Sequence, residues 1–176
     1  MTILALDTSN KTLSIAVELT DGTIIEQTIE NTLQHSVLLV PTIEAVFKEA
    51  GITAKDLTKV VVAEGPGSYT GLRIGVTVAK TLAKSLGIPL VGVSSLDVFL
   101  PDLASKVEVG ELVVPFFDAR RGNIFAVGYQ KTNEGFEKVI PERHSSWDDF
   151  LKSLPERSNG VTFVGQLQSI TKEAIV

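Results

Sequence analysis

A chain of 176 residues, 44% of them hydrophobic and 21% charged, carries enough apolar side chain for one large or two small packed cores and does not read as disordered. Its 16 basic and 21 acidic residues leave a net charge of −5, with no run of like charge longer than the Arg120-Arg121 pair, which argues against a stand-alone nucleic-acid binder with a broad basic face. The lack of cysteine removes disulfides, thiolate nucleophiles and Cys-ligated zinc; no stretch reaches the roughly 18 apolar residues of a membrane span, and Asp7 breaks any signal-peptide pattern, so a soluble cytoplasmic protein is expected.

In chain order, the apolar run 3–6 turns through Asp7-Thr8-Ser9-Asn10-Lys11, alternates over 13–19, turns at Asp21-Gly22 and resumes over 23–29. That pattern predicts a three-stranded antiparallel meander with a hairpin at Asp-Gly. A helix follows from about 34 to 50, closed by Gly51, with Pro41 too deep for a first-turn proline and therefore marking a kink or a late start. Strand 59–63 leads into Gly65-Pro66-Gly67-Ser68-Tyr69-Thr70-Gly71-Leu72-Arg73-Ile74-Gly75, a helix over 71–86 closed by Gly87, and a strand over 89–93. The order βββαβαβ is the ribonuclease-H-like plan, the half-unit of actin-like ATPases.

Ser94-Ser95 can cap a helix running to about 106. A second round then begins: strand 112–117, a turn at 120–123, strands 124–130 and 136–140, a helix over 146–154, strand 161–164 and the start of a helix at Gln166. The fold class expected is α/β, with two βββαβα-type units spanning 1–106 and 107–176, the second incomplete at its C-terminus.

Where strand becomes helix in the glycine-rich stretch, unpaired N–H groups and partial positive charge favour an anion; a tight turn needing positive φ explains the same glycines equally well. The loop is not a Walker A motif, because Gly71 is followed by Leu72 and Arg73, and Gly65-x-Gly67-x-x-x-Gly71 misses the dinucleotide spacing. Candidate nucleotide contacts are Asp7, Thr8, Ser9, Gly65, Gly67, Ser68, Arg73 and Asp118, with backbone capping the plain alternative for the two aspartates and solvent for Arg73. His35 and His144 lie in separate halves and no other ligand pattern accompanies them, so no metal site is expected. His35 reads as a residue whose ring, with Ser36, helps cap the first helical turn, and His144 as a loop residue.

The helices carry more apolar surface than one sheet covers. Val37-Leu38-Leu39-Val40 points around the whole cylinder, and the second helix sets Leu72, Val76, Ala79 and Ala83 on one side with Ile74 on a further edge. An interface is expected at Val37, Leu38, Leu39, Ile43, Val46, Leu72, Ile74, Val76, Ala79 and Ala83, against the alternative that both are ordinary core helices.

Asp7-Thr8-Ser9, Gln34-His35-Ser36, the long glycine motif and Asp118-Ala119-Arg120-Arg121-Gly122, in that order, resemble the TsaB (YeaZ) family of bacterial tRNA threonylcarbamoyladenosine synthesis. The resemblance covers essentially the whole chain, short of a C-terminal segment that completes the second domain in relatives. It implies an actin-like two-domain fold with little or no catalysis of its own, pairing with a TsaD-type catalytic subunit and a TsaE-type ATPase. That set transfers a threonylcarbamoyl group from threonylcarbamoyl-adenylate to N6 of adenosine 37 in tRNAs reading ANN codons. It further implies a homodimer when alone, tRNA met only through the complex, and no required cofactor beyond weak ATP or ADP binding. The catalytic homologue's metal-binding His-x-x-x-His is broken here, since the fourth residue after His35 is Leu39. Arg120 and Arg121 contact tRNA or merely solvate a turn. The rivals are an active sugar-kinase-like phosphotransferase, which requires a general-base Asp and Mg-ATP, and a metallopeptidase, whose ligands are missing.

Overall fold

A computed structural model describes residues 1–30, 34–155 and 159–166, and divides the chain into two compact units, Met1–Ser95 and Leu96–Val176.

In the first unit β1 (Ile3–Asp7), β2 (Leu13–Glu18) and β3 (Ile24–Ile29) form the expected antiparallel meander. The hairpin between β2 and β3 is set where Thr23 N donates to the Asp21 carboxylate at 2.9 Å and Gly22 takes φ 84°. Then come α1 (His35–Ala50), a 3-10 turn Ala54–Asp56, β4 (Lys59–Gly65), α2 (Tyr69–Leu86) and β5 (Leu90–Ser94). The sheet order is β3-β2-β1-β4-β5, with β4 parallel to β1 and β5 parallel to β4.

Period-two alternation aims Leu4, Leu6, Leu13, Ile15, Val17, Val60 and Val62 at one face of this sheet, where they meet Leu39, Ile43, Val46 and Phe47 of α1 and Ala79 and Ala83 of α2. Each large aliphatic residue removed from water there contributes about 1.5–3 kcal/mol. Both helices close on left-handed glycines, Gly51 and Gly87, as the sequence indicates. The late start expected at Pro41 does not occur: α1 runs unbroken through it, and Pro41 is exposed. Helix α2 begins earlier than expected, because Ser68 caps it by accepting from Gly71 N.

The second unit opens with a 3-10 turn Asp97–Phe99 and a single helical turn α3 (Leu100–Leu103), not the long helix expected to 106. Pro101 stands in the first turn of α3, where its missing N–H is tolerated, so a separate short helical turn begins there. The stretch groups with the second unit, because Leu96 is fully buried against Phe117, Val127 and Tyr129, with Phe99 and Leu100 beside them. The division therefore falls before these residues and not after 106. Strands β6 (Leu112–Asp118), β7 (Asn123–Thr132) and β8 (Gly135–Ser146) follow, then α4 (Trp147–Leu151) and β9 (Val161–Gln166).

The order β8-β7-β6-β9, with β9 parallel to β6, repeats the β3-β2-β1-β4 arrangement of the first sheet. Strand β6 is buried on both faces: Leu112, Val114 and Phe116 meet Trp147 and Phe150, while Phe117 meets Leu96 and Tyr129. Its run Leu-Val-Val-Pro-Phe-Phe is the near-continuous apolar run of such a strand, with Pro115 at the point where pairing to β7 is interrupted. Strand β8 is longer than expected, and α4 starts at Trp147 because Ser146 Oγ accepts from Asp149 N. Gln166 ends β9, and a helix beyond it lies outside the described residues. Among those residues no helix is long and apolar enough to cross a membrane.

Candidate glycine-loop site and exposed helix residues

The structure gathers Asp7, Thr8, Ser9, Gly65, Gly67 and Ser68 at one place in the first unit. The β1–β2 turn is an Asx turn in which Ser9 N donates to the Asp7 carboxylate at 2.7 Å. That turn is pressed onto the start of α2: Thr8 Oγ1 donates to the Gly71 carbonyl at 2.8 Å, and Ser68 N donates to the Ser9 carbonyl at 2.6 Å. Thr8 and Ser9 are wholly buried.

The glycines are explained by this approach. A Cβ on Gly67 would collide with the Ser9 carbonyl, one on Gly71 with the Thr8 carbonyl, and one on Gly75 with Thr8 Oγ1. The open phosphate cradle that the motif suggests is thus filled at these three positions by the protein's own turn. Ser9 Oγ lies in this packing as a buried hydroxyl without a hydrogen-bond partner. Arg73 does not point into the turn: its guanidinium lies over the Tyr69 ring, 5.5 Å from the centroid, and donates to Tyr69 Oη at 3.3 Å. Tyr69 itself is 73% exposed. Sequence reasoning passed over Tyr69, although its spacing of four from Arg73 on a helix was a usable signal.

Of the expected interface, Leu39, Ile43, Val46, Ala79 and Ala83 are core residues, a correction forced by the sheet face beneath them. Leu38, Leu72, Ile74 and Val76 are half-buried. The exposed apolar residues of α1 are Val37 at 64% and Val40 at 49%, the second not anticipated. Among the described residues His35 is buried with Nε2 unpartnered and the N-cap residue Gln34 makes no side-chain capping bond, so the cap expected of the His35 ring and Ser36 is not seen among them. His144 lies in β8, not a loop, with its ring 4.9 Å from Phe125. Among the described residues no cluster of His, Asp or Glu is arranged to hold a metal ion.

In the second unit Asp118 ends β6 as Asp7 ends β1, and its carboxylate likewise accepts from the amide two residues on, Arg120 N at 2.6 Å. The turn beyond it holds three successive residues at positive φ: Arg120 at 69°, Arg121 at 53° and Gly122 at 74°. Only the glycine adopts this region freely; a non-glycine residue there costs about 1–3 kcal/mol.

The family described as "TsaD: tRNA N6-adenosine threonylcarbamoyltransferase" matches residues 23–174. The tRNA threonylcarbamoyladenosine biosynthesis protein TsaB of Bacillus subtilis (strain 168) is 43% identical over 175 residues, covering 99% of this chain and 75% of that protein. The protein of the same name from Buchnera aphidicola subsp. Schizaphis graminum is 34% identical over 132 residues, covering 74% of this chain and 61% of its own length. The solved structure of YeaZ from Pseudomonas aeruginosa superposes with a TM-score of 0.74 at 26% identity, covering 92% of this chain and 84% of that one.

Proposed function

The chain belongs to the TsaB family of tRNA threonylcarbamoyladenosine biosynthesis proteins, and from that premise we propose that it serves as a non-catalytic scaffold subunit of the modifying complex. Its actin-like fold supplies two rigid α/β units. The scaffold pairs with a TsaD-type catalytic subunit, supports a TsaE-type ATPase, meets tRNA through that assembly in the cytoplasm, and forms a homodimer on the same face when alone.

One observation carries this reading: α1 packs Leu39, Ile43 and Val46 against its own sheet yet leaves Val37 and Val40 in water, flanked by half-buried Leu38. Large exposed aliphatic side chains on a well-packed helix mark a surface that another chain covers. The glycine loop speaks for the same division of labour. Thr8 and Ser9 occupy the ground close to Gly67, Gly71 and Gly75, which supports a role that does not depend on tight nucleotide binding.

The test is the double variant V37E/V40E, with size-exclusion chromatography against the catalytic subunit of the same organism. Co-elution is lost while the variant's own unfolding is unchanged; retained co-elution refutes the interface. Calorimetry with Mg-ATP separates the scaffold from a phosphotransferase-type enzyme, which requires tight nucleotide binding.

A further inference from the structure

We infer that the Arg120-Arg121 tip of the β6–β7 hairpin grips the phosphodiester backbone of the RNA on which the complex acts. This rests on the scaffold reading and assigns the scaffold a direct contact within the assembly.

The argument begins with backbone conformation. Asn123 N donates to the Arg120 carbonyl at 3.0 Å, so Arg121 and Gly122 are the central pair of a turn with both φ angles positive, the signature of type I′. Asn-Gly is the relaxed pair for that turn, yet arginine stands in the first position and a second left-handed arginine precedes it. The conformation is imposed from several sides. The Asp118 carboxylate holds Arg120 N, Asn123 Nδ2 donates to the Arg121 carbonyl at 3.3 Å, and Trp147 N donates to the Gly122 carbonyl at 2.9 Å. A turn that fixes two arginines against their backbone preference places them for a purpose outside the fold.

The side chains indicate the ligand. Arg120 and Arg121 are exposed and form the only adjacent basic pair in a chain of net charge −5. Among the described residues neither guanidinium has an ion pair, whereas nearby Asp149 is joined to Lys152 at 3.4 Å. Two residues in from Asn123, and on the same face of the ribbon by alternation, half-buried Phe125 lies with its ring 4.9 Å from that of exposed His144, the two planes tilted at 53°. Guanidinium groups suit phosphate, and the exposed ring of His144 on the neighbouring strand β8 is of the kind on which an unstacked base rests; these are residue types with which RNA is held, and a partner's carboxylates would not call for the ring.

The experiment uses the full chain assembled with its catalytic subunit and an unmodified transcript of a tRNA that reads an ANN codon. The variant is R120N/R121N, which suits the left-handed turn better than the native pair, and the charge-matched control is K55Q/K106Q. The variant is expected to unfold at the same or a higher temperature and to co-elute normally. It should bind the transcript about tenfold more weakly, with a salt dependence shallower by about one logarithmic unit per arginine. The control should match wild type. Unchanged RNA affinity, or a loss no greater than the control's, overturns the proposal alone. Loss of co-elution overturns it by showing that the tip docks a protein. A wild-type complex that does not bind the transcript overturns it together with the reading beneath it. Inorganic phosphate and ATP, added as competitors, should displace the transcript no better than salt of equal ionic strength; specific displacement means a small-anion site and overturns the proposal.

Discussion

Thr8 occupies the space that a side chain on Gly75 would need, its Oγ1 lying against the helix at the point where a Cβ would project. A methyl group there forces the β1–β2 turn and α2 apart, and overpacking of this kind costs about 1–3 kcal/mol. G75A should lower the urea midpoint accordingly, and T8A/G75A should recover part of the loss, because the collision is with the Thr8 side chain. G71A behaves differently: its collision is with the Thr8 carbonyl, which T8A leaves in place. A non-additive G75A pair beside an additive G71A pair is the result that supports this packing, and equal coupling in both contradicts it.

The same contact shows what the sequence disclosed and what it withheld. Glycine at 71 and 75 and alanine at 79 and 83 announce a close approach along α2, but the neighbour is Thr8, 63 residues before Gly71. Local pattern names a need for space without naming what fills it. Likewise Val37-Leu38-Leu39-Val40 is apolar on every side, and only the sheet decides that Leu39 goes in and Val37 out. The stripe Leu39, Ile43, Val46, Phe47 has i, i+4, i+7, i+8 spacing and lies buried, yet the sequence sets Leu39, Ile43 and Val46 in an interface, because spacing shows that a face is covered without showing whether sheet or partner covers it. Strand alternation and the helix ends at Gly51 and Gly87 were legible because they act locally, whereas the stretch after Ser95 was not, since the burial of Leu96 in the second unit decides it. A turn at 120–123 was legible too, but not its left-handed conformation, which its arginines contradict.

The two faces of α1 should separate in mutagenesis. Leu39 is 1% exposed, and L39E buries an unpaired carboxylate in the first core, which should abolish folding or cost more than about 3 kcal/mol. V37E changes a residue 64% exposed and should leave the denaturation curve within about 0.5 kcal/mol of wild type. A V37E protein as unstable as L39E would mean that Val37 is packed within the monomer.

Pro41 offers a third measurement on the same helix. It sits in the body of α1 with no N–H for the Val37 carbonyl one turn earlier. Alanine is about 3 kcal/mol better than proline in a helix interior, less up to about 1 kcal/mol for the freer unfolded chain. P41A should therefore raise stability by about 2–3 kcal/mol in the isolated protein. No gain would show that α1 has already relaxed around the missing bond.

In the second unit the 3-10 turn Asp97–Phe99 is tied down by Tyr129, whose Oη donates to the Asp97 carboxylate. Burial, then the hydrogen bond and charge of Asp97, raise the phenol's pKa above its ordinary 10.0. Because the folded value lies above the unfolded one, this contribution is complete below pH 10. As pH rises further the unfolded phenol ionises while the folded one keeps its proton, so stability falls by at most about 1.4 kcal/mol per pH unit until the folded pKa is passed. Y129F cannot show that fall. At pH 8 it should be about 1–3 kcal/mol less stable than wild type, because Asp97 loses its donor. Above pH 10 the two denaturation curves should converge. Curves that stay parallel to about pH 11.5 would mean that Asp97 does not hold the phenol's proton.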